Sequence, residues 1–277
     1  MDGGGPSRRE RLGLAVQRAI GRLTAPLWVP ATVALMRLGL GWRREGAAAL
    51  RREMRALWAA GGGPLLVCAN HLTLIDSALV AWALGSPAWF LAHYAALPWN
   101  VPERRNFASS WASRGLVYLL KCVPVTRGGD RSEVAAVLGR LVHLLGRGAV
   151  VLLFPEGGRS RTGRVELENA AWGVGRVIGA LPGCRVLCVY LRGERQAASG
   201  DVPPRGERFH VRHALVRPTS SARGLRRSQE LARQVVAALA ALEVAHFEDG
   251  SPARAARAKA GHQSPTPTTT PAGARPC

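Results

Sequence analysis

Leu65-Leu66-Val67-Cys68-Ala69-Asn70-His71-Leu72-Thr73-Leu74-Ile75-Asp76 is the stretch on which the reading of this chain turns. The five apolar residues Leu65–Ala69 read as a buried strand, and Ser77–Leu84 reads as a helix, so a histidine and an aspartate stand in the turn between them. A histidine can remove a proton near neutral pH, and a carboxylate on its other ring nitrogen fixes the tautomer and stabilises the imidazolium. Asp76 directly precedes the helix, so an N-cap is an equally good reading of it. The two roles are compatible, because a carboxylate has two oxygens.

A second stretch, Phe154-Pro155-Glu156-Gly157-Gly158-Arg159-Ser160-Arg161-Thr162-Gly163, follows another apolar run. The planar fork of arginine grips phosphate through two parallel hydrogen bonds, and glycines let backbone turn tightly beside a ligand. Alone, Glu156 and Arg159 fit an ordinary ion pair in a surface turn. With the His–Asp pair they make a base beside an anion site, which points to group transfer onto a phosphorylated acceptor. No serine or cysteine is placed for activation as a nucleophile, so direct attack of a substrate hydroxyl on an acyl thioester is the simplest scheme.

Outward from these motifs the chain alternates apolar runs with helical patterns. Strands are expected at Leu65–Ala69, Trp89–Ala92, Cys122–Thr126, Ala149–Phe154, Val186–Leu191 and Phe209–Val216. Helices are expected at Ala47–Ala60, Ser77–Leu84, Ser109–Leu120, Ser132–Leu145, Glu166–Ile178 and Arg226–Leu242, with Asp130 and Glu133 as a capping box for the fourth. The alternation predicts an α/β fold: one domain with a mixed, largely parallel central sheet flanked by helices. In such sheets ligands gather beyond the carboxyl ends of strands, where both motifs stand. Pro98–Glu103, bounded by prolines, has no assignment.

The chain resembles the glycerolipid acyltransferase family typified by bacterial 1-acyl-glycerol-3-phosphate acyltransferase. Its first block, Asn-His followed by four residues and Asp, matches Asn70 to Asp76, and its third, Phe-Pro-Glu-Gly-Thr-Arg-Ser, matches Phe154 to Ser160 with Gly158 in place of threonine. The second block matches Val123–Arg127; the fourth, an apolar strand, matches Val186–Gly193 with Cys188 where a proline is expected. The resemblance spans about residues 60 to 215. It implies that His71 is the catalytic base with Asp76 as its partner, and that Asn70, Arg127, Glu156, Gly157 and Arg159 bind the phosphorylated acceptor. It further implies acyl transfer from acyl-CoA or acyl carrier protein to a lysophospholipid such as 1-acyl-glycerol-3-phosphate, in phospholipid biosynthesis. No metal or nucleotide cofactor is implied. Another lyso-lipid acceptor, such as lyso-ornithine lipid, is the alternative within the same chemistry.

Composition describes the setting. The 277 residues are 47% apolar, enough for a substantial core, and the net charge is +20. That charge calls for anionic partners: a membrane, phosphorylated substrates or nucleic acid. The arginines are not interleaved with aromatics and no nucleic-acid module is present, which disfavours the last. Between Arg8 and Thr24, Leu12, Val16, Ile20 and Leu23 recur at helical spacing, with Arg11, Arg18 and Arg22 on another face. Leu27–Trp42 follows, apolar but interrupted by Pro30 and Arg37, with Trp28 and Trp42 near its ends. Residues 1–45 are therefore expected to be an interfacial membrane anchor, residues 46–248 the α/β domain, and residues 249–277 a disordered tail rich in Ala, Arg, Pro and Thr. With no export signal read, the expected location is the cytoplasmic face of the inner membrane, and buried-looking cysteines agree with a reducing compartment.

Overall fold

In the computed structural model, residues 5–104, 110–126 and 128–248 are described. Five strands, β1 (Arg43–Glu45), β2 (Leu65–Ala69), β3 (Val151–Leu153), β4 (Arg185–Gly193) and β5 (Arg208–Val216), form one sheet in the order β1-β5-β4-β2-β3. Every pair is parallel except β4 and β5. Side chains alternate across this sheet, as the two-residue period of a strand requires. Leu65, Val67 and Ala69 of β2, with Leu187, Val189 and Leu191 of β4, enter one core. Leu66 and Cys68, with Val186 and Cys188, enter the other.

Helices α2 (Ala47–Ala60), α3 (Asp76–Leu84) and α4 (Pro87–Ala92) contribute to the first core. Helix α5 (Trp111–Leu119) packs on the amino-terminal helix (Arg8–Ala34), while α6 (Arg131–Gly146), α7 (Trp172–Gly179) and α8 (Gly224–Glu248) contribute to the second core. The result is the expected mixed, mostly parallel α/β sheet between helices. Gly175 brings α7 against α8 so closely that a Cβ there would overlap the Ser228 carbonyl.

Several expectations are corrected. Trp89–Ala92 is helical, because Ser86 caps Trp89 and Pro87 occupies the first turn, where its missing N–H costs nothing. The unassigned Pro98–Glu103 stretch instead extends the sheet beyond β3: Trp99 pairs with Val151, Asn100 with Cys122 and Glu103 with Val125. Thus Cys122–Thr126 is extended but irregular, held by isolated bridges. Fully buried Lys121 closes this corner by donating to the carbonyls of Tyr94 and Leu97. Asp130 does cap α6, whereas Glu133 turns away to Arg104 at 3.2 Å, so the capping box does not form. Glu166–Ile178 begins late, as a short 3₁₀ turn (Leu167–Asn169) followed by α7.

The amino-terminal segment is a single helix, α1 (Arg8–Ala34), ending in a π-helical turn (Leu35–Gly39). It runs through Pro26 and Pro30. Its inner face is Leu14, Gln17, Gly21, Ala25 and Val29, and Gln17 donates to the carbonyls of Tyr118 and Cys122. The stripe Leu12, Val16, Ile20, Leu23 and Leu27 faces outward, with Leu23 80% exposed. Residues 8–39 are long and apolar enough to cross a membrane, and only 22% of their most apolar window is buried. The tail expected to be disordered, residues 249–277, lies outside the described residues.

Candidate active site

His71 stands two residues past β2 and Glu156 three past β3. Because β2 and β3 are parallel neighbours, strand pairing alone places the two motifs side by side. The imidazole of His71 stacks on the ring of Phe154, centroids 4.1 Å apart and planes within 16°. The backbone N–H of Ser160 donates to the His71 carbonyl at 2.9 Å, tying the glycine turn to the histidine.

Asp76 lies 3.0 Å from His71 Nδ1 through Oδ2. The same oxygen accepts the N–H of Thr73 at 2.7 Å and that of Leu72, while Oδ1 accepts the Thr73 hydroxyl. The carboxylate is therefore fixed by the turn that precedes it. It is the first residue of α3, not its cap, since Ile75 occupies that place. With Asp76 on Nδ1, the neutral imidazole carries its proton there and leaves Nε2 as the basic nitrogen. The His71 side chain keeps 12% of its surface exposed and that of Asp76 4%, so the imidazole reaches solvent and the carboxylate does not.

The glycine turn presents two different groups. Glu156 is buried, and neither carboxylate oxygen has a hydrogen-bond partner among the described residues. Burial raises its pKa to about 7; the N–H groups of His71 and Glu166 oppose the rise, and the charges of Glu243 and Glu166 add to it. Gly157 takes a φ of +68°, which a side chain would strain. Arg159 extends outward and rests on Asp201 at 2.7 Å and on the Gly200 carbonyl at 3.1 Å. The loop carrying Asp201 is itself stitched to the histidine turn, Gly200 N–H to the Leu72 carbonyl and Leu74 N–H to the Asp201 carbonyl.

His71, Asp76, Glu156, Gly157 and Arg159 are thus brought together. Asn70 is adjacent, but both ends of its amide bond the backbone of Leu191 on β4, at 3.0 Å through Nδ2 and 2.8 Å through Oδ1. That geometry makes it a pin between strands. Arg127 lies outside the described residues. Three participants carried no signal of their own: Thr73 holding Asp76, Phe154 under the imidazole, and Asp201 beside Arg159. Phe154 was legible only as the first letter of its motif, and Asp201 lies in a polar loop forty-odd residues downstream.

A histidine oriented by a buried carboxylate, opening onto a turn that carries an arginine, can take up a proton beside a bound anion. A family profile described as Acyltransferase matches residues 45–192, more than half of the chain. The chain belongs to that family and is an acyltransferase. No curated protein matches it.

Proposed function

We propose that the enzyme acylates the hydroxyl of a lysophospholipid such as 1-acyl-glycerol-3-phosphate, using acyl-CoA or acyl carrier protein as donor, at a membrane surface. His71 Nε2 takes the proton of the acceptor hydroxyl as its oxygen attacks the thioester carbonyl. The new C–O ester bond forms, the C–S bond breaks, and the departing thiolate receives the proton from His71. Asp76 stabilises the transient imidazolium, held in place by Thr73 and the Leu72 amide.

Arg159 serves the acceptor phosphate, with Arg127 assigned alongside it by the family motif. Asp201 occupies that guanidinium here, yet its side chain is 78% exposed, so a phosphate displaces it at little desolvation cost. Glu156, beside the base and poised near neutrality, suits a hydrogen bond to a polar group of the acceptor. The observation that carries the proposal is the stacking of His71 on Phe154, which sets base and anion turn against each other.

The membrane reading rests on where apolar surface is left uncovered. Among the described residues, ten of the seventeen large apolar side chains that face solvent lie on α1 with its π turn and on α5, which pack together. Trp111, 88% exposed, and Leu116 add to the apolar surface left uncovered on these two packed helices, and exposed apolar surface of this kind favours an interaction site. Arg11, Arg18 and Arg22 complement anionic headgroups.

Incubation of the purified protein with labelled acyl-CoA or acyl carrier protein and a panel of lysolipids tests the assignment. Label should enter acceptors bearing a phosphate; no ester with any acceptor would defeat it.

A further inference from the structure

The buried stripe of α8 runs Leu231, Val235, Leu239 at four-residue spacing, and the next position, Glu243, is a carboxylate only 4% exposed. Packing alone asks for a fourth apolar residue there, since burying a charge is costly unless it is fully matched. Glu243 is matched. Oε2 accepts from Arg164 Nε and from the backbone N–H of Val165, both at 3.1 Å. Oε1 accepts from the Tyr190 hydroxyl at 3.2 Å, and Arg192 Nη1 lies 3.9 Å away.

Arg192 carries the connection onward. It donates to the carbonyl of Gly163 and to those of Gln196 at 3.1 Å and Ala197 at 3.0 Å. Two loops are thereby fastened to one buried pair: the turn that holds Arg159, and the loop that holds Asp201. They also meet directly, for a Cβ on Gly163 would come within 2.8 Å of the Ala197 carbonyl. Phe247, one turn beyond Glu243, lies 4.4 Å from the Arg164 guanidinium and 5.2 Å from that of Arg192. At its near end the turn is fixed by Ser160, whose hydroxyl accepts the Arg164 N–H and whose own N–H bonds His71. Arg159 directly precedes the first of these anchors, so the run they fix starts at its own peptide.

We propose that Glu243 is a positioning residue: through Arg164, Val165 and Arg192 it holds the arginine-bearing turn at its working distance from His71. The carboxy-terminal helix, outside the segment matched by the family profile, is then part of the site and governs acceptor recognition. This rests on the assignment of Arg159 to the acceptor. Glu243→Gln keeps an acceptor oxygen for Arg164 and Val165, whereas Glu243→Leu keeps only the volume.

In purified protein, Glu243→Leu should raise the acceptor KM about tenfold while the donor KM and kcat at saturating acceptor stay within about twofold, and Glu243→Gln should restore most of the loss. Hydrogen exchange supplies a readout independent of turnover: amides of 160–166 and 195–200 should exchange faster in Glu243→Leu, with β2 and β4 unchanged. Should Glu243→Leu fail to fold, Arg164→Ala removes a half-exposed partner and carries the same two measurements. Equal changes in both KM values, or unaltered exchange in the two loops, would overturn the proposal. A wild-type protein that transfers no acyl group would refute the functional assignment instead, and the exchange comparison would still decide whether the clamp exists.

Discussion

Replacing Glu156 with glutamine tests the electrostatics of the site against a number. The Glu156 carboxyl titrates at about 7 instead of its ordinary 4.5, chiefly because burial disfavours the charged form. Its two oxygens are buried without well-formed hydrogen bonds among the described residues, and the N–H groups of His71 and Glu166 offset only part of that cost. A tenfold change in proton affinity is worth about 1.4 kcal/mol, which makes ionising Glu156 in the folded protein cost about 3 kcal/mol. The sign follows from the direction: an acid whose folded pKa is raised is fully compatible with folding below 4.5 and becomes a burden as pH rises through 7. Glutamine has the same shape and no charge to bury. Urea unfolding of both proteins between pH 4.5 and 8 should therefore show nearly equal stability at the acid end. The variant should gain up to about 3 kcal/mol over wild type by pH 8. Parallel curves across that range would mean that Glu156 is solvated or paired in solution, and would remove it from the buried part of the site.

Other perturbations separate the roles of the neighbours. Asp76→Asn should leave the histidine in place but disturb its tautomer and its imidazolium, lowering kcat by about a thousandfold or more with acceptor KM little changed. Steady-state kinetics on a variant with wild-type circular dichroism would show this. Arg159→Ala should raise the KM of a phosphorylated acceptor at least tenfold and leave the donor KM alone; an unchanged acceptor KM would remove the anion-site assignment. Trp111→Ser with Leu116→Ser should reduce sedimentation with anionic vesicles at high salt, where the apolar contribution dominates, because two exposed apolar side chains on α5 are lost. Undiminished sedimentation would show that α5 stays out of the bilayer.

Much of this architecture was legible because the central strands β2, β3 and β4 are apolar runs, whereas β1 (Arg43–Glu45) is charged and gave no strand signal. Leu65–Ala69 and Ala47–Ala60 were placed to the residue, one by its unbroken apolar run and the other by helical periodicity. The edge of the sheet beyond β3 was not. Its Pro98–Glu103 segment pairs through isolated bridges, and prolines at 98 and 102 read as loop when no partner is known. Trp89–Ala92 carries strand-like residues, yet the Ser86 cap and Pro87 start a helix that propensity does not override. The inner face of α1 was not read at all, for another reason. Gln17, Gly21 and Ala25 pack closely because they are small or hydrogen-bonded, while the more apolar stripe stays outside. His71, Asp76 and Glu156 could be read from their spacing, since parallel pairing of their strands brings them together. Asp201 and Glu243 could not, because each acts through contacts across long sequence separations that no local pattern encodes.

His71→Ala is the most direct test, measured as kcat/KM for transfer of labelled acyl groups to a lysophospholipid by a variant shown to be folded. Loss of the base should lower the rate by about a hundred- to ten-thousandfold. A folded His71→Ala protein working within a fewfold of wild type would contradict the account, since the imidazole against Phe154 would then be ornamental to the reaction.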